Sequence, residues 1–364
     1  MFDVDHKKRF LDAITLKPCE SLSHGDQMIH DKLVAEITNV HIEGDEGNAL
    51  AKWMTEEMTD INFDRHLRAR KFLGLDWCQV FPMETLQDVS VTESGYKHFK
   101  DVWGTVQEVS LESNEILEKP IEGVEGLKSY RFPDPSAFGY GNIKRWIDDG
   151  TFAVCTQLDS GFFKITQLTG FEEYMDYLYF NKNELHGLME KFLAFQIAMA
   201  DNLIDMGADV IWLGNDFCYN AGPFISPEML QEFDFDYMKK LVEHVHGRGV
   251  PVSLHCCGNI KTVIRRMIDT GVNSIHSVQP TAGNDIYAYK KEYGNDVCLI
   301  GNVDINELMP HGSPCDVDDQ IRMMVEKLFY DRKGWVLSTT NLLSTDTPVK
   351  NAITMHLAAE KYGR

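Results

Sequence analysis

The sequence is short of positive charge. Its 364 residues include 35 lysines and arginines against 56 aspartates and glutamates, which gives a formal net charge of −21. Binding to nucleic acid or to an anionic membrane needs clustered lysine and arginine, so neither is expected as the main partner. The acidic excess is compatible with a basic protein partner, although ordinary solubility explains it as well.

The sequence also lacks an uninterrupted apolar run of about 18 residues, the length that a membrane-spanning helix requires. Its first segment, MFDVDHKKRFLDAI, has the pattern of a polar amphipathic helix and not of a secretory signal. The eight cysteines are scattered without the spacing of a disulfide framework. We therefore expect reduced thiols, mostly packed as small apolar side chains, in a cytoplasmic protein.

What the sequence does contain is enough apolar material, 43% of its residues, for a large core. Residues 1–70 are predicted to form a helical N-terminal extension. From about residue 74, short apolar runs alternate with amphipathic segments, which is typical of βα units around parallel strands. Eight candidate strands match a single α/β domain, 1–364, with the fold of a (β/α)₈ TIM barrel. The candidates are 21–28 (the weakest), 76–82, 151–157, 208–214, 251–257, 273–280, 297–303 and 334–340.

Helix signals separate these strands. A helix is predicted over 183–206, ending at Gly207, and another from Ser226 as N-cap to Gly247. The last helix is expected to start near Asp346. Residues 95–150 break the alternation, since 102–120 predict a β-hairpin and 131–142 a loop rich in proline and glycine. We expect this insertion near the barrel mouth, where loops shape active sites.

Polar residues follow the predicted strand ends, and in a parallel barrel these ends converge on one mouth. The candidates for substrate contacts are Met28, Glu84, Gln157 and Tyr219. The candidates for catalytic roles are Asp216, Gln279 and Asn341. Each has an ordinary structural alternative, such as a helix cap for Asp216 or a solvated loop position for Glu84.

The sharpest motif is His255-Cys256-Cys257-Gly258. Residues i and i+2 of a strand point to the same face, so His255 and Cys257 are predicted to face the barrel axis and Cys256 the helical shell. An imidazole beside a thiolate suits Zn²⁺. The alternative is a buried strand that happens to contain cysteines.

Aromatic residues are frequent in the loops that follow the predicted strands. They could line a pocket for an aromatic ring or a corrin face, or could serve only for packing. Cys218, in the same region, is expected to be structural. The aromatic residues concerned are Phe162, Phe163, Phe217, Tyr219 and Phe224.

Several motifs occur in a characteristic order: RFLDAI, DVWGTV, FISPEML, SLHCCGNI, SIHSVQP, LIGNVD, GWVLSTTN and the closing Thr347-Pro348-x-x-Asn351. Together they resemble the uroporphyrinogen decarboxylase superfamily. Within it, the chain resembles the corrinoid-dependent methyltransferase branch, which carries H-x-C-G at this strand. The resemblance implies a (β/α)₈ barrel that binds zinc at its mouth.

Two departures qualify this resemblance. The N-terminal stretch HGDQMIHDKLVAEI has no arginine to hold the carboxylates of a tetrapyrrole, which argues against decarboxylation of that substrate. The zinc methyltransferases also place a second cysteine on the last strand, where this chain has Thr340 and Asn341. Cys298, at the opposite end of its strand, and Cys315, near a helix start, cannot replace it. A third ligand would have to come from elsewhere, and the candidates are Asp216, Glu84 and Gln279.

A ligand set with one thiolate carries less negative charge and makes a stronger Lewis acid than a set with two. We therefore expect O-demethylation of an aryl methyl ether. The methyl group would pass to the cobalt of a separate corrinoid protein, because the chain has no D-x-H-x-x-G cobalamin motif. Two alternatives stay open: a methylcorrinoid:thiol methyltransferase of the coenzyme M type, and a non-catalytic barrel that binds a corrinoid or another tetrapyrrole. The oligomeric state is also open, with a homodimer as one candidate.

Overall fold

A computed structural model describes residues 4–93, 95–110 and 114–364. Its centre is a parallel sheet of seven strands that neighbour one another in the order of the sequence. Each strand overlaps one of the predicted segments, and nearly all of their residues are buried. The strands are Trp77–Val80, Ala153–Asp159, Val210–Gly214, Val252–Cys256, Ser274–Ser277, Cys298–Gly301 and Trp335–Val336.

The weakest predicted strand, 21–28, fills the gap between the first and last of these seven. On one side, Leu337 N donates to Ser23 O and Gly25 N donates to Leu337 O, both at 3.0 Å. On the other side, Asp76 N donates to His24 O at 3.0 Å. The segment therefore closes the sheet and confirms the (β/α)₈ barrel, although it pairs through single bridges and not as a continuous strand.

The N-terminal helix His6–Ile14 covers the bottom of the barrel. Phe10 stacks on Trp77 with ring centroids 5.3 Å apart. Arg9 donates to both oxygens of Asp76, at 2.7 and 2.8 Å. Because Asp76 immediately precedes a strand, this helix lies at the amino ends of the strands, which leaves the opposite mouth open.

The remaining helices surround the sheet. The three whose bounds were predicted are present, and the one expected from Ser226 to Gly247 contains a π-helical stretch at Gln231–Phe235. The helix Lys182–Met206 ends at Gly207 in the left-handed conformation. Ser226 caps the next helical segment by accepting a hydrogen bond from Met229 N. The last helix begins at Val349, three residues later than predicted, after Pro348. No helix among the described residues is long and apolar enough to cross a membrane. The other helices are Asp31–Thr38, Ala49–Thr55, Asp60–Leu73, Gly123–Ser129, Gly141–Asp149, Gly161–Thr169, Phe171–Phe180, Pro227–Leu230, Gln231–Phe235 (a π-helix), Asp236–Gly247, Ile264–Asp269, Ile286–Tyr293, Leu308–His311 and Pro314–Leu328, with 3₁₀ turns at Pro135–Ala137 and Pro280–Ala282.

A four-stranded antiparallel sheet is inserted after the first strand of the seven. The hairpin predicted over 102–120 corresponds to its strands Val106–Val109 and Asn114–Glu118, in the register that pairs Val109 with Asn114. The strands Gln87–Val91 and Lys97–Lys100 were not predicted, because Gln87–Val91 is exposed along its whole length and lacks the alternation of a half-buried strand. Two short antiparallel pairs also occur: Met83–Glu84 with Phe138–Gly139, and Cys218–Tyr219 with Gly222–Pro223.

Candidate metal centre and substrate cavity

A cavity of about 230 Å³ opens at the carboxyl ends of the barrel strands. Phe99 and Gln107 of the inserted antiparallel sheet line it as well, so the insertion forms part of its wall. Six of the candidate substrate, catalytic and metal residues named in the sequence analysis line this one cavity, which brings together residues from distant parts of the chain. They are Met28, Glu84, Gln157, Asp216, His255 and Asn341.

Three potential metal ligands meet at the edge of this cavity. Cys257 Sγ lies 3.3 Å from His255 Nε2, as the strand alternation predicts. Asp216 Oδ1 lies 3.7 Å from the same nitrogen, and all three donor atoms fall within 4.8 Å of one another. Gly258 allows the turn that follows, because it has φ +83° and a Cβ there would lie 2.7 Å from the backbone of Cys218.

The spacing of these donors fits zinc. Tetrahedral zinc with ordinary bond lengths places a nitrogen and a sulfur or oxygen ligand about 3.4–3.6 Å apart. The observed 3.3 and 3.7 Å agree with this range within a few tenths of an ångström. If these three residues held the ion, a fourth position would remain for a substrate atom, as in catalytic zinc sites.

The imidazole of His276 determines which nitrogen of His255 carries the lone pair. His276 Nε2 donates to the carbonyl of Thr339 at 3.0 Å, so its Nδ1 carries the lone pair when the ring is neutral. His255 Nδ1 lies 2.7 Å from that atom and donates to it. The lone pair of His255 is therefore on Nε2, which faces Cys257 and Asp216.

Burial favours the neutral forms of His255, His276 and Cys257. It lowers the pKa of His255, and it lowers that of His276 well below the ordinary range, so both rings are uncharged at neutral pH. Burial and the charge of Asp216 raise the pKa of the Cys257 thiol, against a hydrogen bond from Asn341. Binding of a metal ion must therefore displace the proton of Cys257.

The two remaining catalytic candidates lie close to Cys257 but differ in their surroundings. Asn341 occupies the place where the resemblance implies a second cysteine. Its Nδ2 donates to Cys257 Sγ at 3.6 Å, and its Oδ1 accepts from Leu342 N at 2.8 Å. Gln279 accepts from Gly258 N and donates to Thr281 Oγ1, both at 3.0 Å, so it holds the turn and does not line the cavity.

The aromatic residues of the loops after the strands lie partly in the cavity wall and partly outside the cavity. Of the five aromatic residues singled out, Phe163 lines the cavity. Tyr219 is half exposed outside it and stacks on Phe224, with centroids 5.1 Å apart. Phe224 in turn stacks on Phe162, while Phe217 is buried against the helices.

The other cysteines lie away from the metal candidates' donor atoms. Cys256 is fully buried and its Sγ donates to the carbonyl of Cys257 at 3.2 Å, in agreement with a position toward the shell. Cys218 and Cys298 are also buried. Cys315 is exposed near the start of a helix.

A buried charged cluster in the cavity wall was missed by sequence reasoning. Lys164 Nζ lies 2.8 Å from Asp159 Oδ2 and 4.4 Å from the ring centre of Trp103. Trp103 Nε1 donates to Glu84 at 2.7 Å. Burial raises the pKa of Glu84 to about 7, although the charge of Lys164 opposes it. The one available signal was that Lys164 is the only charged residue of the helix Gly161–Thr169, which follows Asp159.

The sequence matches the family model described as uroporphyrinogen decarboxylase (URO-D) over residues 108–362. This is well over half of the chain. The chain belongs to the uroporphyrinogen decarboxylase family. The resemblance inferred from the motif order is thereby confirmed, and the family match includes the His255-Cys257 strand and the last helix.

Curated relatives within this family match over parts of their length. The chain is 28% identical over 160 residues to the methylcobamide:CoM methyltransferase MtbA of Methanosarcina mazei, covering 43% of this chain and 45% of that protein. It is 22% identical over 176 residues to a methylated-thiol–coenzyme M methyltransferase of the same organism, covering 48% and 45%. The chain thus spans less than half the length of either relative. A solved methyltransferase structure from Methanosarcina mazei superposes with a TM-score of 0.74 at 17% identity, covering 99% of both chains, which supports the fold.

Proposed function

We propose that this chain is a zinc-dependent methyltransferase that moves a methyl group from a small methylated substrate to the cobalt of a corrinoid carried by a separate protein. The observation that carries the proposal is the convergence of His255, Cys257 and Asp216 in one cavity, with donor spacings suited to zinc. The names of the curated relatives, which concern methylcobamide, methylated thiols and coenzyme M, support methyl transfer linked to a corrinoid.

The residues of the chain have separable roles in this scheme. His255, Cys257 and Asp216 would hold the ion, and bound zinc would supply a Lewis acid for the heteroatom that carries the methyl group. His276 fixes the orientation of His255, and Asn341 donates a hydrogen bond to the sulfur of Cys257. The bond between methyl carbon and heteroatom breaks as the carbon–cobalt bond forms. The heteroatom leaves with the electron pair and takes up a proton.

The ligand set favours an oxygen leaving group. It contains one thiolate, and Asn341 further reduces the electron density of that sulfur by donating to it. An electron-poor site polarises an ether oxygen more strongly than a site with two thiolates does. We therefore infer an aryl methyl ether as the preferred substrate, and Phe81, Phe99 and Phe163 in the cavity wall are suited to pack against its ring.

A second candidate function is transfer of methyl from a methylcorrinoid to a thiol such as coenzyme M, which the names of the relatives favour. Coenzyme M carries a sulfonate. Lys164 is the one lysine or arginine among the described residues that line the cavity, and it is already paired with Asp159. The cavity therefore offers poor electrostatic support for this acceptor, and we rank it second.

The deciding experiment uses the purified protein, its zinc content and a reduced corrinoid protein. We expect about one zinc per chain, lost in His255→Ala and Cys257→Ala, and formation of methyl-Co(III) from methoxylated aromatic compounds, followed by the cobalt spectrum. A native protein without zinc would contradict the proposal. Methyl transfer from methyl-Co(III) to a thiol, with none of the ethers active, would favour the second candidate. Asn341→Cys restores the second thiolate and is expected to raise thiol methylation relative to ether demethylation.

A further inference from the structure

We propose that the wall of the cavity formed by Glu84 and Gln27 binds a hydrogen-bond-donating or cationic group of the substrate and rejects carboxylate and sulfonate groups. This inference rests on the proposed function and narrows its substrate class. Glu84 follows the strand Trp77–Val80, which lies three strand positions from the His255 strand around the barrel. The recognised group is therefore placed across the cavity from the methyl group that is transferred.

The first line of support is that two buried side chains of this wall have polar atoms without partners. One carboxylate oxygen of Glu84 accepts from Trp103, and the other has no hydrogen-bond partner among the described residues. Gln27 is 4% exposed, and neither its Oε1 nor its Nε2 has a partner there, so this amide can accept or donate, whereas ionised Glu84 only accepts. Both side chains line the cavity. Unpartnered acceptors in a cavity wall cost free energy, so a ligand that donates hydrogen bonds to them is favoured.

The second line of support is the balance of charge. Four carboxylates line the cavity, those of Glu84, Asp101, Asp159 and Asp216, against the single ammonium of Lys164. A metal ion would neutralise Asp216 and leave three carboxylates against that ammonium. An anionic group would therefore enter a cavity of the same sign, while a cation or a neutral donor would not.

Lys164 cannot serve as an anchor for an anion. It is buried, bound to Asp159 at 2.8 Å and covered by the ring of Trp103. Asp101 is equally occupied, since it accepts hydrogen bonds from the backbone nitrogens of Trp103 and Thr105. Glu84 is thus the carboxylate of this wall with an oxygen left for the ligand.

The protonation of Glu84 adds a pH dependence. Three elements bring charged or polar groups to its carboxyl group. These groups are Lys164 of the helix Gly161–Thr169, Asp159 at the end of the strand Ala153–Asp159, and Asp101 and Trp103 of the insertion. The pKa of Glu84, about 7, is raised by burial, so the ionised form gains population as the pH increases through this value. Affinity for a cationic ligand is expected to rise over the same interval.

Four aryl methyl ethers that differ in one ring substituent test the inference by calorimetric binding to the zinc-loaded protein: 3-methoxyphenol, 3-methoxybenzylamine, 3-methoxybenzoate and methoxybenzene. Binding of the phenol tests recognition of a neutral hydrogen-bond donor, and binding of the amine tests recognition of a cation. At least one of them is expected to bind about tenfold or more tightly than methoxybenzene, as a hydrogen bond to a charged group allows, and the benzoate more weakly than methoxybenzene.

Two variants locate the effect. Glu84→Gln keeps an acceptor for Trp103 but removes the charge, so the preference for the amine over the benzoate should fall about tenfold, while the exposed control Glu118→Gln should retain it. Gln27→Met tests the second acceptor and is expected to weaken binding of the phenol. Between pH 6 and pH 8, affinity for the amine should rise in the wild type and stay level in Glu84→Gln.

Tightest binding of the benzoate, binding of neither the phenol nor the amine, or selectivity unchanged in both variants would overturn the inference. The proposed function fails separately. Selective binding without any methyl transfer to cobalt would contradict the methyltransferase, and methyl transfer with the benzoate as the best ligand would contradict only the donor-binding wall.

Discussion

Replacing His276 tests whether the chain prepares His255 for a metal ion. His276 lies behind His255, is fully buried and packs against Trp212, with ring centroids 5.3 Å apart and the ring planes tilted by 60°. His276→Phe keeps an aromatic ring in this space but removes the acceptor for His255 Nδ1. His276→Gln can still accept from His255 and donate to the Thr339 carbonyl, so it is the matched conservative variant.

The expected loss of zinc affinity in His276→Phe depends on which hydrogen bonds differ between the metal-free and the zinc-bound protein. In His276→Phe the Thr339 carbonyl loses its partner in both states, so that loss cancels in the zinc affinity. The metal-free His255 can move its proton to Nε2, but zinc requires the proton on Nδ1, where it is now buried without an acceptor. That costs about 1–3 kcal/mol, or roughly a 10- to 100-fold loss of zinc affinity.

Competition with a chromophoric zinc chelator measures this affinity directly, independent of any methyl transfer. We expect His276→Phe to bind zinc roughly 10- to 100-fold more weakly and His276→Gln to recover most of the difference. Zinc affinity in His276→Phe equal to that of the wild type would refute the reasoning. Equal losses in both variants, accompanied by lower unfolding midpoints, would assign His276 to packing alone.

Three further perturbations probe the ligand set, the cavity wall and the base of the barrel. Asp216→Ala should lower zinc affinity by roughly 100-fold, because one of the three proposed protein ligands is lost, and Asp216→Asn should lose less, because its amide oxygen still accepts from Cys257 N. Lys164→Met should reduce the free energy of unfolding by about 3–5 kcal/mol in urea titrations, because it leaves Asp159 and Glu84 buried without their cation. The hydrogen bond between Glu360 and His24 lowers the pKa of Glu360 to about 2. At neutral pH the wild type should therefore be more stable than Glu360→Gln by about 2–3 kcal/mol. This difference should be lost as the pH falls from about 5 to about 2.

Surface variants serve as controls for these experiments. Asp148 and Lys144 are exposed on the helix Gly141–Asp149, so Asp148→Ala should leave zinc affinity unchanged and Lys144→Met should leave stability within about 0.5 kcal/mol. Wild-type zinc affinity in Asp216→Ala would exclude that carboxylate as a ligand. A stability loss in Lys164→Met no larger than that in Lys144→Met would contradict the buried ion pair. A stability difference for Glu360→Gln that stays constant below pH 5 would contradict the acid linkage.

The barrel could be predicted from the sequence because its strands are buried on both faces and are therefore apolar runs between amphipathic helices. The segment around His24 was the least certain strand, and it is also the least regular in the structure, with single bridges in place of a ladder. The same segment also requires a glycine. The backbone at Gly25 approaches Trp77 so closely that a Cβ would lie 2.5 Å from the indole nitrogen.

The candidate site was predictable where it follows strand periodicity and not where it depends on packing between loops. Alternation placed His255 and Cys257 on one face. It could also have identified His276, which pairs with His255 in the parallel register of the neighbouring strand. No local pattern indicates that Lys164 lies 4.4 Å from the ring centre of Trp103, because this contact joins a barrel helix to the insertion, two segments far apart in the sequence. The hydrogen bond that Asp101 accepts from Trp103 N joins residues two positions apart, and an aspartate in a loop favours such a bond locally.

Two other residues lie near Cys257 where the resemblance implies a second cysteine ligand. Asn341 stands in its place and donates to the remaining sulfur, and Asp216 supplies an oxygen donor from a different strand end. Compared with a second thiolate, both features make the proposed ligand set a poorer electron donor to a metal ion. The opposite wall is acidic and has no free cation among the described residues, which disfavours a sulfonate acceptor. Ligand set and cavity wall are built from different elements, yet both favour removal of a methyl group from a neutral or cationic donor over its delivery to an anionic thiol.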